Sequence, residues 1–109
     1  MTRSPRQHKI GDQMYAHVNV WRLNAAGDSS STAAAQEIAD HLHQQAGFRS
    51  YTLIRTGERE VVAVTVFDTA EQFDAATKAA AGLVARRVDP LVTGPPERRA
   101  GEVIYAIAA

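Results

Sequence analysis

Four residues near the start of the chain have side chains that could bind and activate a small aromatic molecule. They are Tyr15, His17, Asn19 and Trp21, at alternate positions. In an extended strand, alternate side chains lie on the same side, so these four would share one surface. Aromatic rings with a few polar groups among them are typical of pockets for small aromatic ligands. The pattern therefore predicts a ligand site on this strand.

A second interpretation of the same surface is structural. The face could pack against the sheet of a partner chain, with His17 and Asn19 hydrogen-bonded to each other and Trp21 filling space. Buried polar groups usually have such structural partners. The sequence leaves both interpretations open, because it does not show which face of the strand the rest of the chain covers.

The central element is a nearly continuous apolar run, Glu60 to Phe67, which is typical of a strand covered on both faces. Asp68-Thr69 follows, with Gln72 three residues after the threonine, as in a capping box. We therefore expect this strand to lead directly into a helix from Ala70 to Arg87. That helix ends before Asp89-Pro90, since a residue before proline avoids helical geometry.

The remaining elements follow from periodicity and turn signals. We predict strand 1 at 15–23, helix 1 at 32–46, strand 2 at 48–55 and strand 4 at 102–108. Gly47 stands where a helix C-cap glycine belongs. The polar stretch before strand 4 contains Arg98 and Arg99, which we expect to face water. Residues 1–13 are interpreted as a flexible tail, and 14–109 as one domain.

The element order β-α-β-β-α-β predicts an α+β, ferredoxin-like fold with a four-stranded antiparallel sheet. Right-handed crossovers place both helices on the same face of that sheet. Strands 3 and 4 are apolar at both sets of alternate positions, so the uncovered face would be a large apolar patch. We therefore expect a homodimer whose two sheets pack face to face.

Composition excludes several classes of function. The chain has 109 residues, with 12 basic and 12 acidic side chains, and this balance disfavours a nucleic-acid partner. There is no cysteine, and His41 and His43 point in different directions on a helix, so no metal site is expected. The glycines form no phosphate-binding loop, so no nucleotide cofactor is expected. Without a signal peptide or an apolar run of ~20 residues, we expect a cytoplasmic protein with no membrane partner.

Three motifs carry a family resemblance: 16–20 (AHVNV), 46–48 (AGF) and 64–73 (VTVFDTAEQF). With these elements the chain resembles the dimeric α+β barrel superfamily, and within it the antibiotic biosynthesis monooxygenase type. The haem-degrading branch has a Trp at the end of strand 3 and a His on helix 2, whereas this chain has Phe67 and no His there. The resemblance thus implies cofactor-free oxidation of an aromatic compound. Its pocket residues correspond by type to Asn19, Trp21, Tyr51 and Arg55.

Such chemistry begins with removal of a phenolic proton. His17 could be the base, Asn19 could hydrogen-bond the oxyanion, and Trp21 could stack on the ring. Tyr51 and Arg55 would complete the substrate site. Two alternatives are a non-catalytic ligand-binding or stress-related barrel, and an accessory domain whose dimer is its function. The last alternative predicts that side chains fill the space between sheet and helices.

Overall fold

The computed structural model of the chain describes residues 14–26 and 29–108. The predicted tail, 1–13, lies outside the described residues. The elements are β1 (Tyr15–Arg22), α1 (Ser29–His43), β2 (Phe48–Gly57), β3 (Glu60–Phe67), α2 (Ala70–Arg87), the 3-10 turn η1 (Asp89–Leu91) and β4 (Glu97–Glu102). This order confirms the predicted α+β, ferredoxin-like arrangement.

The four strands form one antiparallel sheet in the order β2-β3-β1-β4. Both helices cover the same face, which we call the inner face. Phe67 at the end of β3 is fully buried, and it packs with Ile38 and Leu42 from α1 and with Phe73 and Ala76 from α2. The core therefore lies at one end of the inner face, where both helices meet the central strands.

The start of α2 follows the predicted capping signal. Thr69 has an extended backbone, with φ of −139° and ψ of 159°, and its hydroxyl oxygen accepts a hydrogen bond from the backbone N–H of Gln72 at 3.1 Å. One of the otherwise unpaired N–H groups of the first helical turn is thereby satisfied. The cap fixes the direction in which the chain leaves β3, and so aims α2 back across the inner face.

The predicted end of helix 1 was wrong. The helix stops at His43. The N–H groups of Gln44 and Gln45 donate to carbonyls three residues earlier, and this 3-10 pattern tightens the last turn. Gly47 is not its cap but the turn residue before β2, with φ of +83°. A Cβ atom there would meet only the end of the flexible Gln72 side chain, so it is the positive φ that favours glycine at this position.

The predicted position of strand 4 was also wrong. The strand is the polar stretch Glu97–Glu102, which pairs with β1 from Val20 opposite Glu97 to Tyr15 opposite Glu102. Every side chain of β4 is exposed. This edge strand is therefore held by its backbone hydrogen bonds to β1, which any sequence can make. The apolar residues 103–108 lie outside the ladder, with Ile104 and Ile107 85% and 83% exposed.

Candidate functional site

A cavity of about 160 Å³ lies between the inner face of the sheet and the two helices. Most of its lining side chains are apolar. Four of the predicted site residues line it together: His17, Asn19 and Trp21 from β1, and Tyr51 from β2. The pleat of the strand accounts for this, since alternate positions of β1 all point toward the helices.

The structure thus shows which way the polar face of β1 points. Because the helices cover this face, it is not available to a partner sheet, and the structural interpretation of His17 and Asn19 as an interface pair does not hold. Nor is the space filled by side chains. Small residues of the helices, Ala34, Ala35 and Ala80, line the cavity and leave room for a ligand.

Arg55 is not brought to this cavity. It stands on the edge strand β2 opposite Val61, it is exposed, and it does not line the space that the other four residues share. The predicted grouping of Arg55 with Asn19, Trp21 and Tyr51 therefore has no counterpart in the geometry of the described residues.

His17 is, with Thr65, one of the two buried polar residues that the described part of the chain contributes to the site. Its exposure is only 7%, and its ring centroid lies 4.5 Å from that of Phe73. Burial lowers the pKa of His17 below its ordinary value of 6.5, the positive charge of Arg98 lowers it further, and the carboxylate of Asp74 opposes them. His17 is therefore neutral at physiological pH and able to accept a proton.

Asn19 lies next to His17 along the inner face, two residues further along β1. Its Oδ1 atom is buried and has no hydrogen-bond partner within the described ranges. An unpaired buried polar atom carries a free-energy penalty that a ligand can remove by bonding to it. A ligand hydroxyl could donate to Oδ1, and the amide nitrogen of the same side chain could donate to an oxyanion.

Tyr51 completes a row of side chains across the sheet. His17 and Tyr51 are both direct partners of Thr65 on the central strand β3, so the three lie side by side. Thr65 is buried, and burial raises the pKa of the Tyr51 hydroxyl above its ordinary value. Tyr51 therefore stays protonated and can act as a hydrogen-bond donor beside the base.

Arg98 lines the cavity although it was expected to face water. It is the direct partner of Asn19 in the β1–β4 ladder, which places the two side chains about 5 Å apart at Cβ. This contact was not predicted, because strand 4 was expected at 102–108 and not at Glu97–Glu102. With β4 set at Glu97–Glu102, strand alternation would have placed Arg98 on the inner face and Arg99 on the other.

The arrangement is a mostly apolar cavity with one neutral base, one free amide oxygen, one phenol donor and one cation at its edge. It can bind an aromatic ring, accept a proton from it and stabilise the resulting anion. Among residues 14–26 and 29–108, no group of three or more His, Asp or Glu side chains is placed to hold a metal ion. In the same part of the chain, neither helix has the length and apolar character that crossing a bilayer requires.

Comparison with known proteins gives a family match. The profile of a family described as antibiotic biosynthesis monooxygenase matches residues 14–87, which is more than half of the chain. No curated protein matches the chain by sequence.

Solved structures with the same fold are distant in sequence. SnoaB, a cofactor-independent oxygenase from Streptomyces nogalater, is 20% identical with a TM-score of 0.73, and the match covers 89% of this chain and 99% of SnoaB. NE2512, of unknown function, from Nitrosomonas europaea is 11% identical with a TM-score of 0.76 and coverages of 91% and 97%. Rv0793 from Mycobacterium tuberculosis is 14% identical with a TM-score of 0.67 and coverages of 87% and 99%.

Proposed function

Because the chain belongs to the antibiotic biosynthesis monooxygenase family, we propose that it is a cofactor-independent monooxygenase that oxidises a small aromatic phenol or quinol-like compound. The observation that carries the proposal is His17, a buried and neutral base beside the unpaired amide oxygen of Asn19 in an apolar cavity. The description of SnoaB as a cofactor-independent oxygenase is consistent with this chemistry.

The first step is proton transfer. The phenolic O–H of the substrate lies against His17 and Asn19, and the neutral imidazole takes the proton. The anion that forms is stabilised by the amide N–H of Asn19 and by the nearby charge of Arg98, in a mostly apolar site. Trp21 and Tyr51 hold the ring in place by contact with its faces and edges.

The second step is oxidation of the anion by molecular oxygen. An electron-rich carbon that carries hydrogen, ortho or para to the oxyanion, forms a bond to O₂, and the proton held by His17 passes to the distal oxygen to give a hydroperoxide. Loss of the remaining hydrogen on that carbon breaks the O–O bond and releases water. One oxygen atom enters the product as a quinone carbonyl and the other leaves as water, so the substrate supplies all the electrons.

The proposed reaction therefore needs no flavin, haem or metal. The test is oxygen uptake by the purified protein with a panel of hydroquinones and anthrones and no added cofactor. We expect uptake above background for at least one compound. If the panel binds, as seen from the fluorescence of Trp21, but no oxygen is consumed, the enzyme proposal fails and the non-catalytic ligand-binding alternative stands.

A homodimer is the assembly we propose. The outer face of the sheet, opposite the helices, is apolar along most of its two central strands. Its side chains there are small or branched, and the charged pair Arg22–Glu60 stands at one end. The apolar residues are Ala16, Val18, Val20, Val62, Val64 and Val66. The exposed segment 103–108 adds Ile104, Tyr105 and Ile107 to the apolar surface of the single chain. A second copy of the chain would cover both features, because a two-fold axis brings the same apolar face to each side. Light scattering tests this, and a stable monomer at micromolar concentration would contradict it.

A further inference from the structure

A second cavity of about 390 Å³ lies beside the first, under the loop Thr93–Pro96. We call the two the inner and outer cavities. Four residues line both of them: Trp21, Val84, Val92 and Arg98. These four therefore form the shared boundary, and a ligand bound against Trp21 in the inner cavity has the outer cavity directly next to it.

The two cavities differ in chemistry. The inner cavity is lined mainly by apolar side chains, whereas Asp89, Thr93 and Arg98 give the outer cavity a more polar wall. An apolar ring suits the former, and a charged or hydrogen-bonding substituent suits the latter. The boundary thus divides the site into a part for a ring and a part for a polar group.

Arg98 is the side chain at this boundary whose positive charge can select between ligands of different charge. Within the described residues its guanidinium has no carboxylate partner, while its neighbour Arg99 pairs with Glu97 at 3.1 Å. Asp89 lines the same outer cavity but forms no ion pair with Arg98. The charge of Arg98 also reaches the inner cavity, since it contributes to the lowered pKa of His17.

We propose that the outer cavity is a subsite for an acidic substituent of the ligand, whose carboxylate pairs with Arg98 while its aromatic ring occupies the inner cavity. A guanidinium matches a carboxylate with two parallel N–H···O bonds, which is the strongest pairing it makes. The ring placement rests on the proposed function, but the acid subsite is a statement about binding and holds whether or not oxygen is consumed.

Gly94 offers a way to add bulk at the wall of the outer cavity without changing a residue that lines the inner one. It lines the outer cavity only, it does not have a positive φ, and a Cβ atom there would meet nothing within 4 Å. Gly94→Leu therefore adds a side chain where there is space. Gly82→Leu is the matched control, since Gly82 lines neither cavity and a Cβ there would approach only the flexible end of Arg86, at 3.6 Å.

The experiment measures binding of redox-stable probes by the fluorescence of Trp21, the only tryptophan in the chain. The probes are phenylalkanoic acids from benzoate to 6-phenylhexanoate, each with its neutral amide. At the best chain length we expect the acid to bind about tenfold more tightly than the amide. Arg98→Gln should remove this preference, whereas Arg99→Gln should keep it.

Gly94→Leu should weaken the longer acids about tenfold and leave toluene, which has no polar arm, unchanged within about twofold. Gly82→Leu should change neither. The proposal is overturned if no acid binds, if the acid preference survives in Arg98→Gln, or if Gly94→Leu affects toluene and the acids alike. Oxygen uptake is not measured here, so failure of the subsite and failure of the monooxygenase proposal remain distinguishable.

Discussion

The two faces of the sheet differ in where polar side chains stand along the central strands. In a two-layer protein the face under the helices is ordinarily the apolar one, and the other face is polar. Here the inner face carries polar residues among its apolar ones: His17, Asn19, Thr65 and Tyr51. The outer face of the central strands is alanine and valine apart from the pair Arg22–Glu60 at one end. The inner face is thus suited to a ligand and the outer face to a partner chain. A substitution on the inner face should leave dimerisation unchanged, and a substitution on the outer face should leave ligand binding unchanged.

The largest expected effect is on the inner face. His17→Gln removes the base at similar volume, and oxygen uptake should fall about 100-fold or more, because a positioned general base contributes at least that factor. The dimer should persist by light scattering. His43→Gln, an exposed position on α1, is the control and should retain the uptake. An unchanged rate in His17→Gln would remove the histidine from the mechanism.

The matching change on the outer face is Val64→Asp. A carboxylate placed in an apolar interface costs roughly 3 kcal/mol or more, and two-fold symmetry doubles the number of buried charges. We expect monomers by sedimentation at concentrations where the unmodified chain is dimeric, with quenching of Trp21 by ligand retained. Val64→Thr has nearly the same shape and should weaken the dimer far less. A dimer that survives Val64→Asp would place the interface elsewhere.

A smaller effect concerns pH. Because the pKa of His17 lies below 6.5, the base stays neutral on moderate acidification, and kcat/KM should decline only below that pH. Arg98→Gln removes one of the causes of the shift, so the acid limb should move upward toward 6.5. Arg99→Gln, on the other face, should not move it. An acid limb at or above 6.5 in the unmodified chain would contradict the shielded position of His17.

The smallest effect is expected in the helical layer above the inner face. Arg87 on α2 pairs with Glu37 on α1, and both side chains are nearly half exposed. Such pairs contribute about 0.2–1 kcal/mol, so Arg87→Ala should lower the free energy of unfolding by no more than that in urea titrations. Ligand binding should be unchanged. A larger loss would mean that this ion pair, rather than apolar packing, holds the helices together over the cavity.

Elements whose signals are local could be predicted from the sequence. The bounds of β3 followed from its apolar run, and the start of α2 followed from the threonine cap. Both signals lie within a few neighbouring residues. The element order then indicated the fold. The strand alternation of β1 also grouped His17, Asn19 and Trp21 correctly on one face.

Features that depend on distant parts of the chain could not be predicted in this way. β4 is held by backbone bonds to β1 and buries no side chain, so its polar sequence carries no strand signal, and Arg98 was missed with it. Gly47 has its positive φ in the turn before β2, beyond the end of α1, and the sequence pattern did not show that the helix stops at His43. The direction in which Trp21 points was decided only by the placement of the helices.

The exposure of every β4 side chain has a consequence for motion. Peeling such a strand from the sheet uncovers almost no apolar surface, so local opening there requires much less free energy than opening of β3. We expect its amide protons to exchange with deuterium far sooner than those of β3. Each opening event would carry Arg98 away from Asn19 and His17, and would admit solvent from the side of the sheet. Opening of this edge would therefore expose the inner cavity at its Arg98 side.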